Sequence, residues 1–364
     1  MIKFENVSVT YPGGVEALKD LNYDGAGYNV AVGHRAGYAL TTQTKTIFIG
    51  AFAGSALTTS GDSNMAIGYA AMGGAEVGDG NIAIGRSSMA NANASGFHRN
   101  VAIGYETMAN VGSNSAADNI AIGYQALNDI NGNALGNVAI GSYSGDAITS
   151  GDYNVSIGEN ALSSVNTGGS NIGIGRLAGA NNTSANSNMY IGYAAGYGNQ
   201  TGTNNTIVGN YSLSQTVGIV NFTNVTTLGW EAGYYATGSY NTFVGSEAGK
   251  GGQTSAPFSS GQYNVAMGYK ALTAFTTSNN NVAIGREAGY RITSGGTNVA
   301  IGYQAMSGIV TGGTNVALGY YSLGQVTSGE NNIGIGRNAL SYNTTADDNI
   351  AIGQYAGERT GQFN

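Results

Sequence analysis

Short phrases such as "NVAIGYETM" (Asn100–Met108) and "NVAIGYQAM" (Asn298–Met306) recur along almost the whole chain, alternating apolar and small residues up to a glycine. Aligned on that glycine, the sequence falls into nineteen units, from Gly33 to Gly353, most of them 17 to 19 residues apart. The longest gap, 23 residues, holds "GGQTSAPFSS" around Pro257 and reads as a loop insertion. The residue before the glycine is always aliphatic, and two residues earlier stands Val, Ile or Met in most units. Between them sits Ala in eleven units and Ser or Gly in three more. This period of two, with Val and Ile dominant, predicts a strand ending at each glycine.

The remaining columns predict how the strands are joined. Four residues before the glycine stands Asn in seventeen units, with Thr46 and Val225 as the exceptions. Three residues after it the side chain is always small, and the next is always Gly, Leu or Met. Spacers such as "ITSGGT" and "NTTADD" are turn chemistry, and they leave no apolar stripe at helical spacing. The predicted unit is a strand of about five residues, a glycine bend, a shorter second strand and a polar turn. Stacked in parallel at roughly 4.8 Å, such units make an all-β parallel β-solenoid, or β-roll, of about 19 coils, on the order of 90 Å long. The predicted divisions are an N-terminal cap or attachment segment (1–27), the repeat domain (28–359) and a short tail (360–364). Asn amides are expected to hydrogen-bond up the stack. The aliphatic pair is expected to face the core, with the central Ala outward. That would make Ala66, Ala83, Ala102, Ala121, Ala139, Ala266, Ala283, Ala300, Ala317 and Ala351 a flat stripe for packing against another chain.

Composition narrows the function classes. The chain holds 61 Gly, 2 Pro and no Cys in 364 residues, with 9% charged and 41% hydrophobic residues. Enough aliphatic residues remain to bury a core, which argues against Gly-rich disorder. A net charge of -7 opposes nucleic acid and polybasic membrane attachment. No apolar run of about 18 residues is present to span a bilayer, so no membrane insertion is expected. Without cysteine there are no disulfides and no thiolate metal sites.

The unit "NVAIGYQA" resembles the head repeat of the trimeric autotransporter adhesins, a repeat that also occurs in phage tail fibres. The resemblance covers roughly residues 28 to 359. It implies a β-roll whose chains associate as a homotrimer. No leader, heptad stalk or C-terminal membrane barrel is visible in the sequence, which favours a virion fibre over a cell-surface adhesin. The expected role is therefore a structural, non-enzymatic fibre for host attachment, made in the host cytoplasm and carried on the virion. Its expected partners are further copies of itself, other virion or tail proteins through the N-terminal segment, and a host-surface glycan or protein. A bacterial adhesin head is the alternative, and a polysaccharide depolymerase a remote one. Residues 1–22, "MIKFENVSVTYPGGVEALKDLN", resemble the opening of an ABC-transporter ATPase domain, where Tyr11 would stack on adenine. No phosphate-cradling G-x-x-x-x-G-K-[ST] loop follows, and a cap for the first coil is expected instead.

Candidate chemistry is sparse. His34 and His98 lie four coils apart and neither has a ligand partner at metal spacing, so no metal, cofactor or catalytic residue is expected. Glu231 and Glu247 occupy equivalent positions in adjacent coils, and paired carboxylates are what a glycosidase needs. The informative column directly follows the glycine: Tyr69, Arg86, Tyr105, Tyr124, Tyr193, Trp230, Tyr269, Arg286, Tyr303, Tyr320 and Arg337. These side chains are expected to stack along the coils. A receptor-contacting stripe is the other reading, since such residues dominate binding hot spots.

Overall fold

Each repeat phrase forms a strand of three residues, shorter than the five expected, for example Val101–Ile103 and Val299–Ile301. In a computed structural model, residues 9–11, 15–18, 28–40, 43–57, 61–74, 76–94, 96–112, 115–214, 221–252 and 259–359 are described. Among them are nineteen such strands and no helix, so the chain is an all-β parallel β-solenoid. Contacts group the chain into two units, Met1–Ala185 with nine of these strands and Asn186–Asn364 with ten. Within each unit neighbouring strands pair in parallel and in register, so that Ala283, Ala300 and Ala317 stand side by side. An antiparallel pair, Val9–Tyr11 with Val15–Leu18, lies beside the first solenoid strand, Val30–Val32. The rest of the expected cap, the side chain of Tyr11, the loop around Pro257 and the tail 360–364 lie outside the described residues.

The second strand expected after the glycine is replaced by a run of turns. Residues two and four beyond the glycine have positive φ in every coil, as at Gln304 (φ 54°) and Met306 (φ 53°). This alternation points successive amides up and down the stack. Gln304 N–H donates to Arg286 O in the preceding coil at 3.0 Å, and Met306 N–H donates to Ser322 O in the following coil at 3.0 Å. Backbone groups that a second strand would have paired are satisfied all the same. A second ladder forms at two places among the described residues, Glu76–Val77 with Asn93–Ala94 and Arg291–Ile292 with Ile309–Val310.

The glycine column admits no other residue. At Gly302, with φ +128°, a Cβ would sit 2.6 Å from Gly319 O in the next coil. The Asn column sits in the core and is fully engaged. Asn315 donates from its backbone N–H (2.9 Å) and from Nδ2 (3.1 Å) to Asn298 Oδ1, and Nδ2 also donates to Gly329 O at 2.8 Å. Its own Oδ1 accepts the equivalent pair from Asn332, at 3.0 Å each. Thr46 joins the ladder by donating to Asn29 Oδ1, whereas Val225 offers no oxygen to the coil above it.

The strand faces are the reverse of the expectation. The central residue points inward: Ala66, Ala83, Ala102, Ala121, Ala139, Ala266, Ala283, Ala300 and Ala317 are 0% exposed, and Ala351 is 8%. None of the ten can serve as a packing stripe for another chain. The coil is so narrow that the inward position meets the small residue three past the glycine and the side chain four past it. Where that last residue is Leu or Met the inward one is Ala, Ser or Gly, as with Ala300 beside Met306, save for Ile207 beside Leu213. Where it is Gly, a ring can enter, as Phe48, Tyr190 and Phe243 do. A Cβ at Gly54 would lie 2.8 Å from the Phe48 ring, and one at Gly249 would lie 2.3 Å from that of Phe243. Polar residues at the inward site find each other in the same way: Ser144 and Ser156 hydroxyls are 2.6 Å apart, Ser212 and Thr227 2.7 Å.

Candidate interaction faces

With the central residue inward, the flanking aliphatic pair faces outward. Ile120 is 39% exposed, Met267 41% and Leu228 51%, and most other flanking residues are half-buried. Parallel in-register pairing turns them into two columns running through each unit, apolar except at Thr206, Thr226 and Thr242 in the second. In the first unit the columns are unbroken by any polar residue, from Val30 and Val32 to Ile172 and Ile174. Soluble chains rarely leave a continuous apolar strip of this kind to water.

The column after the glycine borders this face. In the first unit it runs Tyr69, Arg86, Tyr105, Tyr124. Arg86 lies 5.8 Å from the Tyr69 ring and 5.5 Å from that of Tyr105, which stacks on Tyr124 at 5.5 Å with planes 6° apart. His34 and Phe52 extend the contacts at the start, and Tyr143 at the end. In the second unit Arg286 lies between Tyr269 (6.0 Å) and Tyr303 (5.3 Å), Tyr303 meets Tyr320 at 5.4 Å, and Arg337 follows at 5.5 Å. Tyr193 packs edge-on against Tyr211 at 4.9 Å, and Trp230 carries Lys250 over its ring at 5.7 Å. The structure thus places all eleven residues in axial contacts. Their ring faces are largely spent on each other, and the stripe offers edges and hydroxyls outward.

Beside this stripe, two residues past the glycine, lies a largely polar column, of which the sequence singled out only Glu231 and Glu247. In it Gln125 Nε2 donates to Glu106 Oε2 at 2.7 Å, and Gln304 Nε2 to Glu287 Oε2 at 2.8 Å. The bond from Gln125, followed by one from Tyr105, holds the Glu106 carboxyl below the usual range. Nine glycines among nineteen residues at the column four past the glycine were the available signal for the left-handed turns that aim these side chains outward.

Glu231 and Glu247 are brought together, but through a cation. Lys250 Nζ lies 2.5 Å from Glu231 Oε2 and 3.3 Å from Glu247 Oε2, and Lys270 Nζ lies 3.7 Å from Glu247 Oε1. Partial burial opposes the Lys250 charge, yet bonds to the two carboxylates outweigh it and raise its pKa above the ordinary 10.5. A glycosidase pair needs an open gap for a sugar between its carboxyl groups; here an ammonium fills it. The two histidines stay apart. His34 packs on Phe52, and His98 Nδ1 accepts from Asp79 N–H at 2.8 Å. Among the described residues no group of three His, Cys, Asp or Glu is placed to hold a metal, and no helix is long and apolar enough to cross a membrane. Comparison with known protein families, with curated proteins and with solved structures found no match to this chain.

Proposed function

We propose that this protein is a structural, non-enzymatic fibre component that works as a homotrimer and projects from a virion to engage a host surface. The observation that carries the reading is the outward pair of aliphatic columns. An isolated chain would leave them wet, and in-register copies of the same chain offer a partner strip of matching length and chemistry. The tyrosine and arginine ladder along its margin would form the rim of that contact, where aromatic and Arg side chains are favoured. The virion setting rests on the resemblance of the repeat to tail-fibre and adhesin heads.

Sedimentation equilibrium at micromolar concentration tests assembly. A three-chain species is expected, reduced to single chains by Ile122→Glu with Ile140→Glu while the circular-dichroism spectrum keeps its β signature. A wild-type chain that sediments as a monomer overturns the reading. Trimers that adsorb to no cell surface would leave a structural component without the attachment role.

A further inference from the structure

The Glu–Gln pair of the polar column occurs twice, in very different surroundings. Around Glu106 and Gln125, the residues five and six past Gly104 are Ala109 and Asn110, and the preceding coil presents Ser87. Around Glu287 and Gln304 the equivalent positions are Tyr290, Arg291 and Lys270. Together with Ser307 these side chains line a groove of about 340 Å³. One wall is stiffened by the short parallel ladder of Arg291–Ile292 with Ile309–Val310.

Its chemistry is selective. Arg291 is exposed, lies 5.8 Å from the Tyr290 ring and makes no ion pair among the described residues. Lys270 stands at the other side, half-buried, 5.2 Å from the Tyr269 ring. In a chain of net charge -7 with 13 basic residues, this groove and its neighbour Arg286 gather three of them within 22 residues of sequence. Gln304 Nε2 donates to Glu287 Oε2 and Arg286 Nε lies 3.4 Å from Glu287 Oε1, which holds the carboxylate in place and leaves Gln304 its own oxygen and second N–H for the groove. Planar carboxylate and amide groups held this way suit vicinal hydroxyls, and Ser307 adds another small polar contact. Tyr290 supplies an apolar body beside them.

We infer that this groove binds a carboxylated sugar unit of a linear acidic glycan, with Arg291 and Lys270 on the carboxylate and Glu287 with Gln304 on the hydroxyls. The volume, at the low end of ligand-pocket sizes, suits one or two sugar rings, and the open groove lets the polymer continue past them. The inference deepens the attachment reading and rests on it.

The probe is a fluorescent oligogalacturonate, titrated against the full-length chain, with a neutral glucan oligomer of equal length alongside. Saturable binding of the uronate alone is expected, weakened at least tenfold by Arg291→Ala and by Glu287→Ala. Arg176→Ala, an exposed arginine in the other unit, should leave it unchanged, as should Gln125→Ala at the sister pair. Thermal melts of the variants check folding, and Arg291→Lys, which keeps the charge, should retain part of the affinity. Equal binding of the neutral oligomer, no binding of the uronate, or binding indifferent to Arg291 and Glu287 each overturns the inference. Sedimentation of the same samples separates the two readings: trimers that ignore the uronate sink only the groove, whereas monomers sink the fibre.

Discussion

Two stretches of the second unit solve the same geometric problem with different residues. From Asn281 to Leu340 the coils are regular. Asn281, Asn298, Asn315 and Asn332 form an unbroken ladder, the outward residues from Val282 to Ile335 are all aliphatic, and the inward ones are Ala or Gly. From Asn205 to Lys250 nearly every one of these choices changes. Val225 interrupts the ladder, Thr206, Thr226 and Thr242 replace outward aliphatics, and Ile207, Thr227 and Phe243 fill the inward site. The strands nevertheless pair in the same parallel register in both stretches. Both also keep the glycine with φ near +130° and the two left-handed residues after it. The coil path is therefore set by the backbone at the glycine, and the side-chain columns supply stability and surface.

The largest predicted effect tests that ranking. Gly302→Ala places a Cβ 2.6 Å from Gly319 O at a φ that side chains rarely adopt. Neither coil can give way without shifting the stack, so a loss of about 4 kcal/mol is expected by chemical denaturation. The equivalent Gly229→Ala, in the irregular stretch, should cost as much, since its Cβ would lie 2.4 Å from Gly245 O. A loss under about 1 kcal/mol at either site would put the determinant of the path elsewhere.

Next in size is the ladder itself. Asn298→Ala removes the oxygen that accepts both donors of Asn315, and the donor that satisfies Gly312 O at 3.1 Å. Each buried polar group left without a partner costs about 1–3 kcal/mol, and the loss of about 3 kcal/mol expected here should show in equilibrium unfolding. Asn298→Ala costing no more than an exposed substitution would mean the ladder follows the fold without supporting it.

These two columns were legible in the sequence because each has a single physical cause that admits few residues. Only glycine passes the bend, and only a short amide can donate and accept up a stack. The direction of the strand was not legible in that way. Val and Ile beside Ala look like core beside surface, but in a coil this narrow the inward site is the tighter one. Ala300 and Met306 fill it together, and the bulkier Val299 and Ile301 are left outside. The decisive clue was correlation between columns: Phe48, Tyr190 and Phe243 each have Gly six residues later, at Gly54, Gly196 and Gly249. A ring that enters only where a side chain is missing shares the core with that position. The groove at Arg291 was invisible for another reason. Its walls come from positions two, five and six past the glycine in three successive coils, which become neighbours only once the turn run replaces a strand.

A smaller effect is expected at the ion-pair cluster peculiar to the irregular stretch. Lys250→Met leaves Glu231 and Glu247 facing each other without their shared ammonium. For a partly exposed group the cost should be about 1–2 kcal/mol, between that of surface and buried pairs. Because folding raises the Lys250 pKa above its ordinary 10.5, its contribution is fully present below that value and is lost as pH rises through the raised one. Wild type and Lys250→Met should therefore differ by a constant amount from pH 6 to 9 in melting experiments and converge only in strong alkali. A gap that persists undiminished in strong alkali would assign the effect to packing on Trp230 instead.

The smallest effect is the sharpest test of what the irregular stretch gave up. Val225→Asn restores the missing rung: its amide can meet Asn205 Oδ1, which now accepts the Val225 N–H at 2.9 Å, and its oxygen faces the N–H of Asn241. Two or three such bonds contribute about 1 kcal/mol each. Against them stands the burial of Val225, 1% exposed, about 2 kcal/mol of apolar transfer that Asn forfeits. The two nearly cancel, so a change within about 1 kcal/mol of zero is expected by denaturant titration. Near-neutrality would mean that ladder and apolar rung are interchangeable ways to hold one backbone path. A destabilisation above about 2 kcal/mol would instead mean that the coils around Val225 have repacked so far that an Asn no longer finds its rung.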